Sequence, residues 1–168
     1  MKNLLIATAL VAGVLTTQAE EKKVFRISTD KTDLVLQVGD NGRLYQTYFG
    51  EKLLNEADYQ NLTWDVHAGS DGSISQRGWE VYSGSGNEDY FEPAIAITHN
   101  DGKNSTYLYY VSSTTQPVEG GTQTTINLRD DKYPVDVTLH YVAYPKENVI
   151  KTWSEIKHQE KKPIILST

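Results

Sequence analysis

The sequence predicts an all-β fold, on three observations. Apolar residues recur at every second position in short runs from Val24 onward, those runs are bounded by Gly, Asn, Asp and Pro, and beyond residue 19 no useful window carries apolar residues at helical spacing. Alternation with period two puts one set of side chains on a buried face and the other in water, which is the pattern of antiparallel strands joined by tight turns.

In chain order, Asp33 to Val38 places Leu34, Leu36 and Val38 on one face, and Gly39-Asp40-Asn41-Gly42 supplies residues that tolerate positive φ at a hairpin bend. Leu44 to Phe49 is the return strand. The weakest element is a modest helix over Glu51 to Gln60. Pro93 to His99 and Thr106 to Val111 flank Asn100-Asp101-Gly102-Lys103 and read as a second hairpin. Thr124 to Leu128 precedes the longest strand, Val135 to Tyr144, in which Val135, Val137, Leu139, Tyr141 and Ala143 share one face. Pro145-Lys146-Glu147-Asn148 turns the chain into Val149 to Lys157. Pro163 to Thr168 follows, with Ile164-Ile165-Leu166 reading as a buried strand. Because domain boundaries fall in polar linkers, this apolar run carries the expectation that the chain is a piece of something longer.

Between residues 67 and 90 the alternation fails. Five glycines lie there among serines and acids, and Trp79 to Tyr82 is the only strand-like piece. A loop of that length in a compact domain is usually functional or disordered, so candidate binding residues are sought at its margins.

The chain has 168 residues, a formal charge of -6, no cysteine and 38% hydrophobic residues, which allows one ordinary domain stabilised by its core. Residues 1–19 read as a cleaved signal peptide: Lys2 at the start, an apolar run from Leu4 to Leu15, and Thr17-Gln18-Ala19 as a small-residue exit. That run is too short to span a bilayer. The expected mature part is 20–168, periplasmic or secreted, and more acidic still once Lys2 is removed. Basic residues are scattered among acids, and the nearest cluster, Lys157 to Lys162, is interrupted by Glu160. Neither nucleic acid nor a membrane surface is therefore an expected partner.

Several chemistries are excluded by residue type or spacing. His67, His99, His140 and His158 stand far apart, so no metal is expected; His140 shares a strand face with Asp136 and Thr138 and reads as an exposed polar residue. Cysteine catalysis is impossible, and Gly84-Ser85-Gly86 lacks the strand-turn-helix context that activates a serine, leaving it a loop. Glu88, Asp89 and Glu92 are the only dense acids of the long loop. Neighbouring strand residues point to opposite sides, so adjacent acids there cannot flank one glycosidic bond. Asp89 can still accept a sugar hydroxyl. Most of the aromatic residues are Tyr or Trp, which suit half-wet sheet faces and sugar-stacking surfaces equally. Tyr107, Tyr109 and Tyr110 read as packing, whereas Trp64 and Trp79, at the loop margins, are candidates for stacking on a sugar. Asn61-Leu62-Thr63 and Asn104-Ser105-Thr106 match the glycosylation triplet, which matters only in a eukaryotic secretory route.

Val135-Asp136-Val137-Thr138-Leu139-His140-Tyr141-Val142-Ala143-Tyr144, followed by Asn148-Val149-Ile150, resembles the amino-terminal domain of glycoside hydrolase family 36 α-galactosidases. Three further segments agree in order. Asp33 to Phe49, with Asn41-Gly42-Arg43-Leu44 and Tyr48-Phe49-Gly50, is similar to the family's opening hairpin; Asp89-Tyr90-Phe91-Glu92-Pro93-Ala94 is similar to its Asp-aromatic-Arg-x-Pro-Ala segment; and Asn100-Asp101-Gly102-Lys103 to Tyr110-Val111 is similar to the next strand pair. Phe91 stands where the family usually has arginine, and Lys151-Thr152 replaces an arginine-containing pair, so contacts made by those arginines are not carried over.

The resemblance implies a β-supersandwich of mainly antiparallel strands, galactose mutarotase-like, that precedes a (β/α)8 barrel whose two aspartates act in a retaining mechanism. A barrel takes about 250 residues, more than this chain, so no catalytic residue is expected here. The resemblance further implies no cofactor, and a homo-oligomer in which loops at Ala57 to Trp64 and Ser83 to Phe91 help shape a neighbour's α-galactoside pocket, Asp89 being the best-matched position. Asp89, Trp64 and Trp79 are thus the candidate substrate-binding residues. Two alternatives stand beside this reading: a free-standing secreted sandwich that holds glycans on Trp and Tyr platforms, and a purely structural assembly module.

Overall fold

Val24–Ser28 (β1), Thr32–Val38 (β2), Leu44–Glu51 (β3) and Trp79–Glu80 (β4) form one antiparallel sheet in that order in the computed structural model, which describes residues 23–60, 62, 79–86 and 92–167. The short helix Glu56–Gln60 (α1) follows β3. Ala96–Thr98 (β5) pairs with the last strand, Ile165–Ser167 (β10). The second large sheet is a meander of Leu108–Val118 (β6), Gly121–Asp130 (β7), Val135–Tyr144 (β8) and Val149–His158 (β9). Among the described residues α1 is the only helix, and the all-β expectation holds.

The turns follow from their residues. At the first predicted bend the Gly39 amide donates to the Arg43 carbonyl at 2.9 Å and the Gly42 amide to the Gly39 carbonyl at 2.8 Å, with Gly42 at φ 76°. Only glycine holds that backbone without strain. Two bulges interrupt otherwise regular pairing: Thr47 is the extra residue of β3 opposite Val35 and Leu36, and Val111 that of β6. Such insertions add local twist, which lets the sheets wrap one core.

That core lies between the two large sheets. Phe25, Ile27, Leu34, Leu36 and Leu44 from the first meet Leu108, Ile126, Leu128, Val135, Val137, Leu139, Tyr141 and Ala143 from the second, with Ile95 and Ile97 closing one side. The predicted β8 face is buried throughout, from Val135 to Ala143, and Val135, Val137 and Leu139 each contribute about 1.5–3 kcal/mol by leaving water. Burial also pushes the Tyr141 phenol up to about 12. Polar links tie the layers at their rims: the Tyr110 amide donates to the Gly42 carbonyl at 2.9 Å, and the Thr29 hydroxyl bonds Asn148 Oδ1 at 2.5 Å.

Three expectations need correction. The bend at Asn100 to Lys103 forms, with the His99 amide 2.7 Å from the Lys103 carbonyl, but it does not make a hairpin. β5 leaves it to pair with β10, and β6 leaves it to pair with β7 through a turn at Glu119-Gly120, where Gly120 has φ 75°. Ile165 and Leu166, expected to be buried, are 63% and 52% exposed on β10. His140, expected to be exposed, stands instead against the Trp153 ring at 4.6 Å.

Candidate functional site

The sequence places its candidate binding residues in and beside the long loop, so the site begins with what anchors that loop. On one side, α1 is clasped to the first sheet. Asp33, buried on central strand β2, accepts hydrogen bonds from the Leu53 amide at 2.8 Å and from the Tyr59 hydroxyl, while Lys52 Nζ donates to the Thr29 carbonyl at 2.9 Å. Arg26 on β1 lies over the Tyr59 ring, 4.0 Å from its centre, and pairs with Glu56. A carboxylate taken out of water is costly unless donors replace the lost hydration, and here the Leu53 and Tyr59 donors replace it at Oδ2. Burial alone would raise the Asp33 carboxyl. Hydrogen bonds from Ser28, Tyr59 and the Leu53 amide, with the Lys52 charge, hold it below its usual range. The same hydrogen bond, aided by burial, pushes the Tyr59 phenol up to about 12.

On the other side, β4 returns beside β3, with Gln46 opposite Trp79 and Tyr45 opposite Glu80. Arg43 grips Glu80 through two guanidinium nitrogens, Nε standing 2.9 Å from Oε1, and both side chains are largely buried. The strap that follows is pinned by its backbone: the Ser85 amide donates to the Ile95 carbonyl at 2.9 Å, the Thr106 amide to the Ser85 carbonyl at 3.0 Å, and Ser85 Oγ to the Asn104 carbonyl at 2.7 Å. Gly84 is required by close approach, since a Cβ there would stand 2.1 Å from the Thr106 carbonyl oxygen. Ser85 is therefore a structural hydroxyl in a fixed strap.

Trp64 and Asp89 lie outside the described residues, together with residues 61 and 63 of the Ala57 to Trp64 region and the rest of residues 87–91 in the Ser83 to Phe91 region. Of Trp79, the backbone alone is described. What the structure brings together is the pair of anchors on either side of the loop, and neither anchor was legible in the sequence. Asp33 and Tyr59 are 26 residues apart and Arg43 and Glu80 are 37 apart, so no local spacing announces them.

A third cluster ties the bend after β5 to the segment after β9. His99 Nδ1 is 2.7 Å from Glu160 Oε1, both side chains being all but inaccessible, and the Asn100 amide donates to Glu160 Oε2 at 2.9 Å. His99 also stacks on Tyr133 at 3.5 Å. Burial would raise the Glu160 carboxyl, but these two hydrogen bonds and the nearby His99 and His158 hold it below its usual range. Asp130, buried at the end of β7, accepts from the amides of Tyr107, Lys132 and Tyr133. Asp33, Glu80, Asp130 and Glu160 are thus each engaged by amides, a hydroxyl, a histidine or an arginine of this chain.

Among the described residues no three His, Cys, Asp or Glu side chains converge as a metal would require, and no helix is long and apolar enough to cross a membrane. What the arrangement does is fix the chain on both sides of residues 61–78.

Comparison with known proteins agrees with this architecture. Among curated proteins no sequence match is found. Solved structures with the same fold include an α-galactosidase from Lactobacillus brevis (TM-score 0.69, 20% identity, covering 88% of this chain and 23% of that one) and the family 36 α-galactosidase AgaB from Geobacillus stearothermophilus (0.70, 23%, 89% and 23%). A third is an A355E D548N variant of AgaA from the same organism, solved in complex with raffinose (0.69, 23%, 86% and 23%). The chain therefore spans less than a quarter of the length of each. Residues 42–168 match the glycosyl hydrolase family 36 N-terminal domain. With that match over most of its length and a two-layer antiparallel sandwich to go with it, the chain belongs to the glycosyl hydrolase family 36 N-terminal domain family.

Proposed function

We propose that this chain serves as the non-catalytic amino-terminal β-sandwich of an exported α-galactosidase that removes terminal α-galactosides from oligosaccharides. The observation that carries the reading is the family match over residues 42–168 in a chain that covers under a quarter of its structural neighbours. Two features support it. The buried carboxylates of the three clusters and of Asp130 are held by structural partners, whereas a retaining glycosidase needs two free carboxyl groups about 5–5.5 Å apart across a pocket. Ile165 and Leu166 on β10 are apolar and exposed, as befits a strand that packs against a following barrel.

In this reading the sandwich supports the barrel, contributes contacts to a homo-oligomer, and holds Trp64, Trp79 and Asp89 toward the α-galactoside pocket. Export rests on residues 1–19. The test is a family 36 barrel produced with and without this domain ahead of it. Soluble, active enzyme only when the domain is present is expected; a barrel that is equally soluble and active without it would overturn the reading.

A further inference from the structure

The outermost strand of the second sheet has a sequence that complements itself. β9 is bonded by β8 along all ten residues, and among the described residues no strand occupies its other edge. It contains no proline and no bulge, and a long regular edge of that kind is a template for another strand. Within it, Ile150-Lys151-Thr152-Trp153-Ser154-Glu155-Ile156 reads alike in both directions by chemical type, with a base answered by an acid.

Laid antiparallel on a second copy about a two-fold axis at Trp153, the segment sets Ile150 opposite Ile156, Lys151 opposite Glu155, Thr152 opposite Ser154 and Trp153 opposite itself. A two-fold axis perpendicular to the sheet preserves faces, so competing registers differ by two residues. One of them opposes Lys151 to Lys157 and Trp153 to Glu155; the other opposes Lys151 to Trp153 and Val149 to Glu155. Only the first register joins unlike charges and like apolar groups, the pairs that stabilise antiparallel strands. The faces agree as well. Register with β8 puts Lys151, Trp153 and Glu155 on the side of His140, and Ile150 and Ile156 on the core side, where both already pack in part against the core. His140 stacks on Trp153 from the β8 side, at 4.6 Å and 9°, and Lys151 Nζ stands 5.1 Å from the indole centre, so a second β9 would lie beyond the indole from β8 and meet Trp153 and Lys151 together.

We propose that two copies of this chain associate by antiparallel pairing of their β9 strands about Trp153, joining the two meander sheets into one. This gives a surface to the oligomer contacts of the preceding reading but stands on β9 alone, and its failure would leave the barrel test untouched.

The experiment is sedimentation of the full chain over a concentration series. The wild type should approach twice the monomer mass. Lys151→Glu and Glu155→Lys should each weaken the dimer about tenfold or more, because each puts two like-charge pairs across the axis. An equimolar mixture of these two variants should dimerise, since the two acids of one variant strand then face the two bases of the other. A chain carrying both substitutions should dimerise alone, its charges being exchanged but still opposed. Both side chains are exposed, so circular dichroism should report unchanged folding. A monomeric wild type, single variants that dimerise like the wild type, or a mixture that stays monomeric would each overturn the proposal.

Discussion

Buried and half-buried side-chain pairs hold the sites where this chain could change course, and the acidic members set its response to pH. Glu160 and Asp33 both sit below their ordinary values of 4.5 and 3.8. A depressed carboxyl adds stability that is complete above the ordinary value and is lost as pH falls through the folded one. Thermal midpoints should therefore fall below about pH 4, and the fall should be shallower in Glu160→Gln and in Asp33→Asn, as followed by circular dichroism against pH. An acid limb identical in the variants would remove these groups from the account. Glu160→Ala leaves His99 and the Asn100 amide without their acceptor, at a cost of about 2–4 kcal/mol by urea titration, and a loss below about 0.5 kcal/mol would count against the clasp. None of these pairs was legible in the sequence. His99 reads there as an isolated histidine because Glu160 lies 61 residues away, and Glu160 reads as an interruption in a basic run.

At the scale of elements, legibility followed local chemistry. The Gly39 to Gly42 bend, the bend at Pro145 to Asn148 and the β8 face were all readable, since turn residues and period-two burial are local properties. The pairing after Lys103 was not. An Asp-Gly bend specifies a reversal, but which strands pair beyond it depends on where Ile97 and Leu108 find the core, and they find it in different sheets. The long β6–β7 hairpin was underestimated for a related reason: its outer half is Thr, Ser and Gln, with little apolar alternation to read. The strap supplies the clearest test at this scale. Gly84→Ala must push a Cβ into the Thr106 carbonyl, so it should cost about 1–3 kcal/mol, while Gly102→Ala, with open space at its Cβ, meets only the strain of its positive φ. A loss below about 0.5 kcal/mol for Gly84→Ala in denaturant unfolding would argue that the strap is not pinned as described.

For the whole molecule, the sandwich explains how a chain without cysteine or metal clusters among its described residues is held together: one shared core between two four-stranded sheets. Ile126→Ala, at the centre of that core, should cost about 2–5 kcal/mol and lower the unfolding midpoint without changing the type of fold. If residues 1–19 are removed on export, intact-mass measurement of protein recovered outside the cytoplasm should give a chain beginning at Glu20, and a mass retaining Met1 to Ala19 there would contradict export by that signal. Family and fold were readable because four motifs follow in order from Asp33 to Ile150; the candidate site offers less to read, because Asp89 lies in, and Trp64 beside, the stretch from 67 to 90 where alternation stops. The role proposed for this sandwich is to support catalysis without performing it. Steady-state hydrolysis of an aryl α-galactoside by the purified 168-residue chain tests it most directly. Turnover should equal the buffer rate, and should appear once the same chain is continued into a family 36 barrel; galactose release by the chain alone would contradict the account.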